Sequence, residues 1–509
     1  MLPSIRLPRI GAGTASLPGR PIRSSRTMLW LGLINAVNVC LILLCLFTAP
    51  EASEFLLYLM LYIDILIVAC WLYAPAGQRI DLLDPFYVFL GVYSLYSWSS
   101  ATTEVFYAHE YTSVMRTYYW AVILGAVGFV VGYVWVQRKE VRLTEKLSNL
   151  GRTISVPRFS RMCWILGIAL SLLTLDNLAQ FFNISAIRPY TEWAAMSRLE
   201  RTATSGLVEF VNQATITVLI SALLLRSFVK KRVSILAFMA LGAYTIPTIM
   251  AGHKGPLVAY GVLLILFIHY LVRPIRLPLA ILLGLCLCVF VTVFNQVRTT
   301  TNLSAMAREA IYLVRTDPAV LLPLSGEFSG ISTNLMDVAD AIQRGRMSYS
   351  YGYTYVTEAL TFIPRALYPS RPLPMSELYM QIFYSQEAAQ GKGHGTFLVT
   401  EGYWAFGFFG VFLEMFVYGA LVSLFFKVFL RNRQSGPMVI IYGILYFPLV
   451  LVCTRTGLLG SVKSTLMSFA PFALLLWYAY KPVAKKTPRP LLGFARAPQQ
   501  RQAVVSRKG

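Results

Sequence analysis

Long apolar runs separated by short polar connections make up most of the chain. A run of about 17–25 apolar residues spans the roughly 30 Å hydrocarbon layer as a helix. Pro85–Ser99 is the shortest of the segments that we assign to this class. The pattern predicts about twelve transmembrane helices: Met28–Thr48, Phe55–Ala74, Pro85–Ser99, Thr117–Val136, Met162–Phe182, Leu207–Phe228, Ser234–Ala251, Pro256–Val272, Leu277–Val297, Tyr403–Phe426, Pro437–Cys453 and Ser464–Tyr480.

Composition agrees with this pattern. Hydrophobic residues make up 56% of the 509 residues and charged residues 13%. A soluble domain cannot bury that much apolar surface around a single core. We therefore expect an all-α polytopic membrane protein.

Basic residues gather in alternate connections, which indicates the orientation. Lys and Arg of short loops stay on the cytoplasmic side, and the number of spans between successive basic segments is even. The prediction is that both termini are cytoplasmic. The net charge of +22 then reflects topology and attraction to anionic lipid, and it does not favour a nucleic-acid partner. The basic segments are the arm up to Arg26, Gln137–Arg161, Lys230–Arg232, Arg273–Arg276, Lys427–Arg433 and the tail from Lys481.

The connection between spans 9 and 10 is by far the longest. Its mixed apolar and polar pattern predicts a folded extracytoplasmic cap of amphipathic helices, at Thr333–Arg344, Tyr353–Ala366 and Glu377–Gln390. The predicted organisation is a cytoplasmic basic arm (1–27), transmembrane helices 1–9 (28–297), the cap (298–402), transmembrane helices 10–12 (403–480) and a cytoplasmic basic tail (481–509).

The cap carries basic residues on the side where they are normally scarce. Guanidinium groups bind phosphate oxygens through paired hydrogen bonds and stay charged at any relevant pH. We therefore expect an anionic ligand, such as a lipid-linked pyrophosphate. The basic residues of the cap are Arg298, Arg308, Arg315, Arg344, Arg346, Arg365, Arg371 and Lys392, and Lys254, Arg455 and Lys463 lie at other outer helix ends.

An ordered set of motifs resembles the O-antigen (oligosaccharide repeat unit) polymerases called Wzy. The set comprises Lys254-Gly255 at the start of a span, Arg298 at the end of one, Tyr351-Gly352-Tyr353-Thr354-Tyr355, FIPRALYPSRP, GKGHGTFLVTEGYWAFGFFG and Arg455. In motif, the resemblance covers about Gly252–Gly410 plus Arg455. Lys254 stands where arginine is expected, and Arg371 stands where lysine is common.

The resemblance implies a GT-C-like fold and glycosyl transfer at the outer face of the bacterial inner membrane. The growing glycan would move from undecaprenyl pyrophosphate to a hydroxyl of an incoming lipid-linked repeat unit, to make O-antigen, capsule or exopolysaccharide. No cofactor and no metal are implied. The implied partners are the lipid-linked oligosaccharide and membrane lipid, with a chain-length regulator and a flippase as candidates.

Such a reaction needs cations for the departing pyrophosphate and a base for the acceptor proton. The candidate cations are Arg298, Arg365, Arg371 and Arg455, with Lys254 in support. The alternative for each arginine is that it extends from a helix end to the membrane interface. We place Arg365 in the catalytic set because the flanking prolines stiffen its backbone.

Two residues compete for the role of base. His394, in a glycine-rich loop, has an ordinary pKa suited to proton transfer near neutral pH. Glu401 precedes a predicted span, where a carboxylate also has a purely structural use at a helix N-terminus. The sequence leaves this choice open.

Other polar residues have simpler interpretations. Asp337 and Asp340 are expected on a solvated helix face. Asp64, within a span, is expected to pair with a polar group of a neighbouring helix. His269 is expected to be a packing residue, because no further ligands stand at metal-like spacing.

Two other functions fit the overall pattern. An O-antigen ligase would share the lipid donor and the cap. A transporter or flippase for lipid-linked sugar would also have many spans, but it should show paired repeats or broken helices in its two halves, which are not evident.

Overall fold

The described part of the protein is helical throughout. The computed structural model describes residues 50–73, 81, 83–139, 153–173, 206–230, 254–297, 303–317, 321, 327–363, 367–389 and 393–480. Within them, extended pairing is limited to two isolated bridges, Ile154 with Tyr480 and Thr396 with Thr456. The all-α prediction is therefore confirmed for these residues.

Fifteen α-helices run through the described residues. They are α1 (Pro50–Tyr73), α2 (Pro85–Thr103), α3 (Met115–Arg138), α4 (Val156–Leu173), α5 (Gly206–Lys230), α6 (Gly255–Phe267), α7 (Leu277–Val297), α8 (Leu303–Thr316), α9 (Glu327–Gln343), α10 (Tyr353–Leu360), α11 (Met375–Phe383), α12 (Ser385–Ala389), α13 (Leu398–Asn432), α14 (Gly436–Tyr446) and α15 (Leu458–Ala479). Wider π-helical turns extend α2 through Glu104–Ala108, α6 through Ile268–Val272 and α14 through Phe447–Val452.

Seven segments among the described residues are long and apolar enough to cross a membrane, which supports the membrane assignment. They are Ala52–Tyr73, Thr112–Arg138, Gly255–Val272, Pro278–Val297, Leu398–Asn432, Gly436–Arg455 and Leu458–Ala479.

The remaining predicted spans have different outcomes. Pro85–Ser99 forms α2, which is not among the seven. Met162–Phe182 corresponds to α4 as far as Leu173, and Leu207–Phe228 to α5, whose apolar part is Ala214–Ser227. The predicted spans 28–48 and 234–251 lie outside the described residues. A total of twelve therefore stays a prediction.

Helices α3 and α13 cross at very close range. A Cβ atom at Gly132 would lie 2.0 Å from the carbonyl oxygen of Phe416, and one at Gly419 would lie 2.2 Å from that of Phe129. Only glycine permits this approach of two backbones. Buried rings fill the space beside the crossing, where Phe89 of α2 lies 4.2 Å from Phe129 and 4.9 Å from Tyr418, measured between ring centroids.

The helix α9 joins the cap to this core. The hydroxyl of Ser332 donates to the backbone carbonyl of Tyr96 on α2 at 2.7 Å. Asp337, also on α9, accepts hydrogen bonds from the hydroxyls of Tyr111, Tyr379 and Tyr384. One carboxylate thus links the α2–α3 connection to α11 and to the residue that precedes α12.

The prediction that Asp337 and Asp340 lie on a solvated face of α9 is wrong. Asp337 and Asp340 are each only 6% exposed, because Asp337 binds the three tyrosines and Asp340 forms ion pairs with Arg344 and Arg346. Two of the arginines that suggested an anion site therefore already have a partner within the cap.

The predicted cap helices differ from the observed ones at their ends. Helix α10 stops at Leu360, since the turn over residues 361–363 comes just before Pro364, and a residue preceding proline avoids helical geometry. The predicted helix Glu377–Gln390 is interrupted at Tyr384, whose φ is −136°. The long helix α13 begins at Leu398, before the predicted end of the cap.

Helix α13 is broken near its start. Phe406 and Gly407 leave helical geometry, with φ and ψ of 63° and −145° at Gly407. The backbone N–H of Ser350 donates to the carbonyl of Trp404 at 2.8 Å, and that of Tyr351 donates to the carbonyl of Ala405 at 3.1 Å. Ser350 and Tyr351 thus supply donors to two carbonyls that the break leaves without intrahelical partners.

Candidate functional site

Three segments that are distant in sequence meet where α13 begins. The backbone N–H of Thr396 donates to the carbonyl of Arg455 at 2.9 Å, and Thr396 and Thr456 form a parallel bridge. Helix α10, with the tyrosine-rich segment, packs against both α13 and α15. The described parts of the motifs, residues 351–363, Arg371, residues 393–410 and Arg455, therefore surround one site.

Glu401 lies at the centre of this site. Its side chain is 1% exposed, and its Oε2 accepts a hydrogen bond at 2.9 Å from the backbone N–H of Leu458, the first residue of α15. A carboxylate there satisfies a helix N-terminus and its dipole. The structural role proposed for Glu401 is thus present, but it serves α15 and not the helix that carries Glu401.

Gly457 allows Glu401 to reach α15. It has φ of 72° and ψ of 172°, a conformation that is essentially restricted to glycine. A Cβ atom at this position would lie 2.5 Å from Oε2 of Glu401. Both the backbone conformation and the space require glycine.

Glu414 is a second buried carboxyl group in contact with Glu401. It is 4% exposed, its Oε2 accepts a hydrogen bond at 2.9 Å from the hydroxyl of Tyr355, and its carboxyl interacts directly with that of Glu401. The Oε1 atoms of both groups are buried without a protein donor among the described residues. Glu401 and Glu414 thus form a pair of neighbouring buried carboxyl groups.

Glu358 completes a cluster of three carboxyl groups, which we call the carboxyl cluster (Glu358, Glu401 and Glu414). Glu358 is half-buried on α10, accepts a hydrogen bond at 3.2 Å from the backbone N–H of Met375, and interacts electrostatically with Glu401. Burial is the main cause that raises the pKa of Glu358 above its ordinary value. Because Glu401 and Glu414 are buried and Glu358 is only half-buried, Glu358 is the one of the three carboxyl groups within reach of solvent.

Two cations lie near Glu358. Arg371 and Lys463 both interact electrostatically with it and with each other. Arg371 also has a structural role, because its Nη1 donates to the carbonyl of Thr361 at 2.9 Å and to that of Ile363 at 2.7 Å. The second arginine of FIPRALYPSRP therefore holds the turn that follows α10.

The glycine-rich loop contacts Arg455, but its histidine, His394, lies against other residues. The loop residue Gly395 packs against Arg455, since a Cβ atom there would lie 3.0 Å from the carbonyl oxygen and 3.6 Å from Nε of Arg455. The ring of His394 instead stacks on Tyr384, with centroids 5.1 Å apart, and its Nε2 lies 3.6 Å from Oε2 of Glu387. These contacts direct His394 toward α12 and away from Glu401.

The remaining predicted cations have different outcomes. The ammonium of Lys254 donates to Oδ1 of Asn295 on α7 at 2.6 Å. Arg298 and Arg365 lie outside the described residues. Their predicted roles stay predictions.

Polar residues elsewhere in the described part of the chain have structural surroundings. His269 accepts a hydrogen bond from the backbone N–H of Ile275 at Nδ1, and its Nε2 lies 3.3 Å from Oδ1 of Asp81, as expected of a packing histidine. Oδ1 of Asp64 has no hydrogen-bond partner in the described part of the chain, so the pairing expected for it is not found there. No group of three or more His, Cys, Asp and Glu in the described residues could hold a metal ion.

Comparisons with known proteins give one match. Residues 328–429 match a family model described as a domain of unknown function (DUF8712). This region contains the whole carboxyl cluster and Arg371, but it ends before Arg455 and Lys463. Neither the curated proteins nor the solved structures give a match.

Sequence reasoning missed three residues of the site, namely Tyr355, Glu358 and Glu414. Glu414 carried a usable signal, because it stands in the middle of the predicted span Tyr403–Phe426, and an ionisable group within a span is a functional candidate by default. Glu358 carried a weaker one, since it follows Tyr355 by three residues and so shares its face of α10. In the sequence, nothing connects either residue to Glu401.

Proposed function

We propose that this protein is a polysaccharide polymerase of the bacterial inner membrane, with both termini in the cytoplasm and the carboxyl cluster at the outer face. It transfers a growing glycan from undecaprenyl pyrophosphate to a hydroxyl of an incoming lipid-linked repeat unit. The observation that carries the proposal is the convergence of the motif segments. They resemble Wzy motifs in sequence, and they meet around buried acids flanked by cations.

This arrangement suits glycosyl transfer without a nucleotide sugar. The acceptor oxygen forms a bond to the anomeric carbon, the bond from that carbon to the pyrophosphate oxygen breaks, and the electron pair leaves on the diphosphate. In this proposal Arg371, Lys463 and Arg455 stabilise that charge, and a carboxylate takes the acceptor proton.

Deletion of the gene in the source bacterium tests the proposal. A polymerase deletion keeps glycan with a single capped repeat and loses the long ladder on a gel, and the full-length gene on a plasmid restores the ladder. Loss of even the single capped repeat would indicate a ligase or a flippase and would overturn the assignment. A complete ladder in the deletion strain would also overturn it.

Arg455→Ala tests the leaving-group role within the same strain. The hydrogen bond from Thr396 is accepted by the backbone carbonyl of Arg455. Alanine therefore keeps this hydrogen bond and removes the guanidinium side chain. Loss of a charge-assisted contact to the departing pyrophosphate should cost about 2–4 kcal/mol, or roughly thirty- to a thousand-fold in rate. We expect short glycan at a normal protein level. Arg308→Ala, at an exposed position on α8, is the matched control and should make the full ladder.

A further inference from the structure

Glu358 is the member of the carboxyl cluster that a glycan can touch. Glu401 and Glu414 are buried and bind the N–H of Leu458 and the hydroxyl of Tyr355. Glu358 is half-buried and has Arg371 and Lys463 beside it. In this conformation, a substrate that places its diphosphate on these cations brings its reacting carbon next to Glu358.

We infer that Glu358, and not Glu401 or His394, is the base that accepts the proton of the acceptor hydroxyl. This inference rests on the proposed function and names a residue within it. The proton moves from the hydroxyl to the Glu358 carboxylate as the oxygen bonds to the anomeric carbon, and the diphosphate leaves with the electrons of its broken bond. The protonated Glu358 then releases the proton to water, which its partial exposure allows.

The buried pair behind Glu358 fixes its position. Tyr355 and Glu358 lie on one face of α10 three residues apart, and the hydroxyl of Tyr355 is held by Glu414 at 2.9 Å. This bond sets the rotation of α10 about its axis, so that Glu358 faces α15. A second anchor is the hydrogen bond to Glu358 from the N–H of Met375 at the start of α11. Glu401, Glu414 and Tyr355 are thus positioning residues.

The surroundings of Glu358 raise its pKa, which favours a role as a base. Burial raises the pKa of Glu358, and the negative charge of Glu377 on α11 raises it further. The hydrogen bond from the N–H of Met375 and the positive charges of Lys463 on α15 and Arg371 lower it. The net shift of the pKa is upward. Glu401 on α13 also faces it. A base is most effective when its pKa lies near the working pH. Chain growth should therefore fall as the outer pH drops through the pKa of Glu358, because a protonated carboxyl cannot accept the proton.

Variants in the deletion strain test the role directly. Glu358→Gln should lower the rate of chain growth by about a hundredfold or more, the usual contribution of a general base, at a normal level of protein in the membrane. Glu358→Asp should recover part of the ladder, because it restores a carboxylate. Glu309→Gln, at an exposed position on α8, is the control and should make a full ladder. A full ladder from well-expressed Glu358→Gln overturns the inference.

A second measurement does not depend on activity. A water-soluble carbodiimide reacts with protonated carboxyl groups, so labelling of the full-length protein in membrane vesicles across a pH series reports protonation residue by residue in a mass spectrum. Labelling of Glu358 should persist to higher pH than labelling of Glu309. Equal midpoints for the two residues overturn the inference.

The two proposals fail in different ways. A full ladder in the deletion strain refutes the polymerase function itself. Loss of the ladder in the deletion strain, with a full ladder in Glu358→Gln, refutes only the role of Glu358.

Discussion

Replacement of Gly457 by alanine should disturb the contact between Glu401 and the start of α15. The backbone conformation of Gly457 costs an alanine about 1–3 kcal/mol. The new Cβ atom would also lie 2.5 Å from Oε2 of Glu401, against about 3.4 Å for an ordinary contact. Glu401 is buried and must move by roughly 1 Å, which breaks its bond to the N–H of Leu458 and costs about 1–3 kcal/mol more. We expect a total destabilisation of about 2–6 kcal/mol.

Gly460 provides the matched comparison because it lies in the first turn of the same helix. A Cβ atom there makes ordinary contacts, at 3.4 Å to Oε1 of Glu358 and 3.6 Å to Cβ of Thr456. Alanine is also a better helix former than glycine, by about 1 kcal/mol. Gly460→Ala should therefore leave stability unchanged or raise it.

The assay is the midpoint of heat-induced loss of the monodisperse peak, measured on the full-length protein fused to a fluorescent protein and eluted in detergent. The expected order of midpoints is Gly457→Ala below the native protein and Gly460→Ala at or above it. A Gly457→Ala variant as stable as the native protein would refute the close contact between Glu401 and the start of α15.

Two further predictions concern the fold. Gly132→Ala should destabilise the protein by about 1–3 kcal/mol or more in the same assay, because the added methyl group meets the backbone of α13 and not a movable side chain. Gly261→Ala is the control and should have little effect, because a Cβ atom there has nothing within 4 Å. Equal midpoints for the two variants would contradict the close crossing of α3 and α13. A cysteine at exposed Ser348 should react with an impermeant thiol reagent in cells with a permeable outer layer, while cysteines at Ser148 and Ser506 should not. The unaltered chain is the blank. Labelling at Ser506 but not at Ser348 would invert the proposed topology.

Periodicity and length predicted the helices well, because a membrane span is a local property of the sequence. Seven predicted spans coincide with long apolar helices, and even the short run at Pro85 forms a helix. The exact ends were less predictable. Helix α10 ends early because Pro364 follows, which the sequence could have shown. Helix α13 starts at Leu398 because its first turns pack beside the hydrogen bond between Thr396 and Arg455, a tertiary contact that the sequence does not show.

The site was predicted only in part for the same reason. Glu401, Arg371 and Arg455 could be named from motifs, but the partner of each is set by packing. Glu401 pairs with Glu414 and with the N-terminus of α15, and no spacing in the sequence indicates either contact. Asp337 shows the opposite error, since a helical stripe of apolar residues made it look solvated, although three tyrosines from distant segments surround it.

The break in α13 has a consequence for the biogenesis of the protein. The carbonyls of Trp404 and Ala405 receive their hydrogen bonds from Ser350 and Tyr351, which belong to a segment made earlier during translation. In the proposed topology, this segment must cross the membrane before it can dock, and until then the same carbonyls can be satisfied only by residues 408 and 409 of α13 itself, in a continuous helix. We therefore expect α13 to enter the membrane as an unbroken apolar helix. The break would then form when the segment of Ser350 and Tyr351 docks onto it.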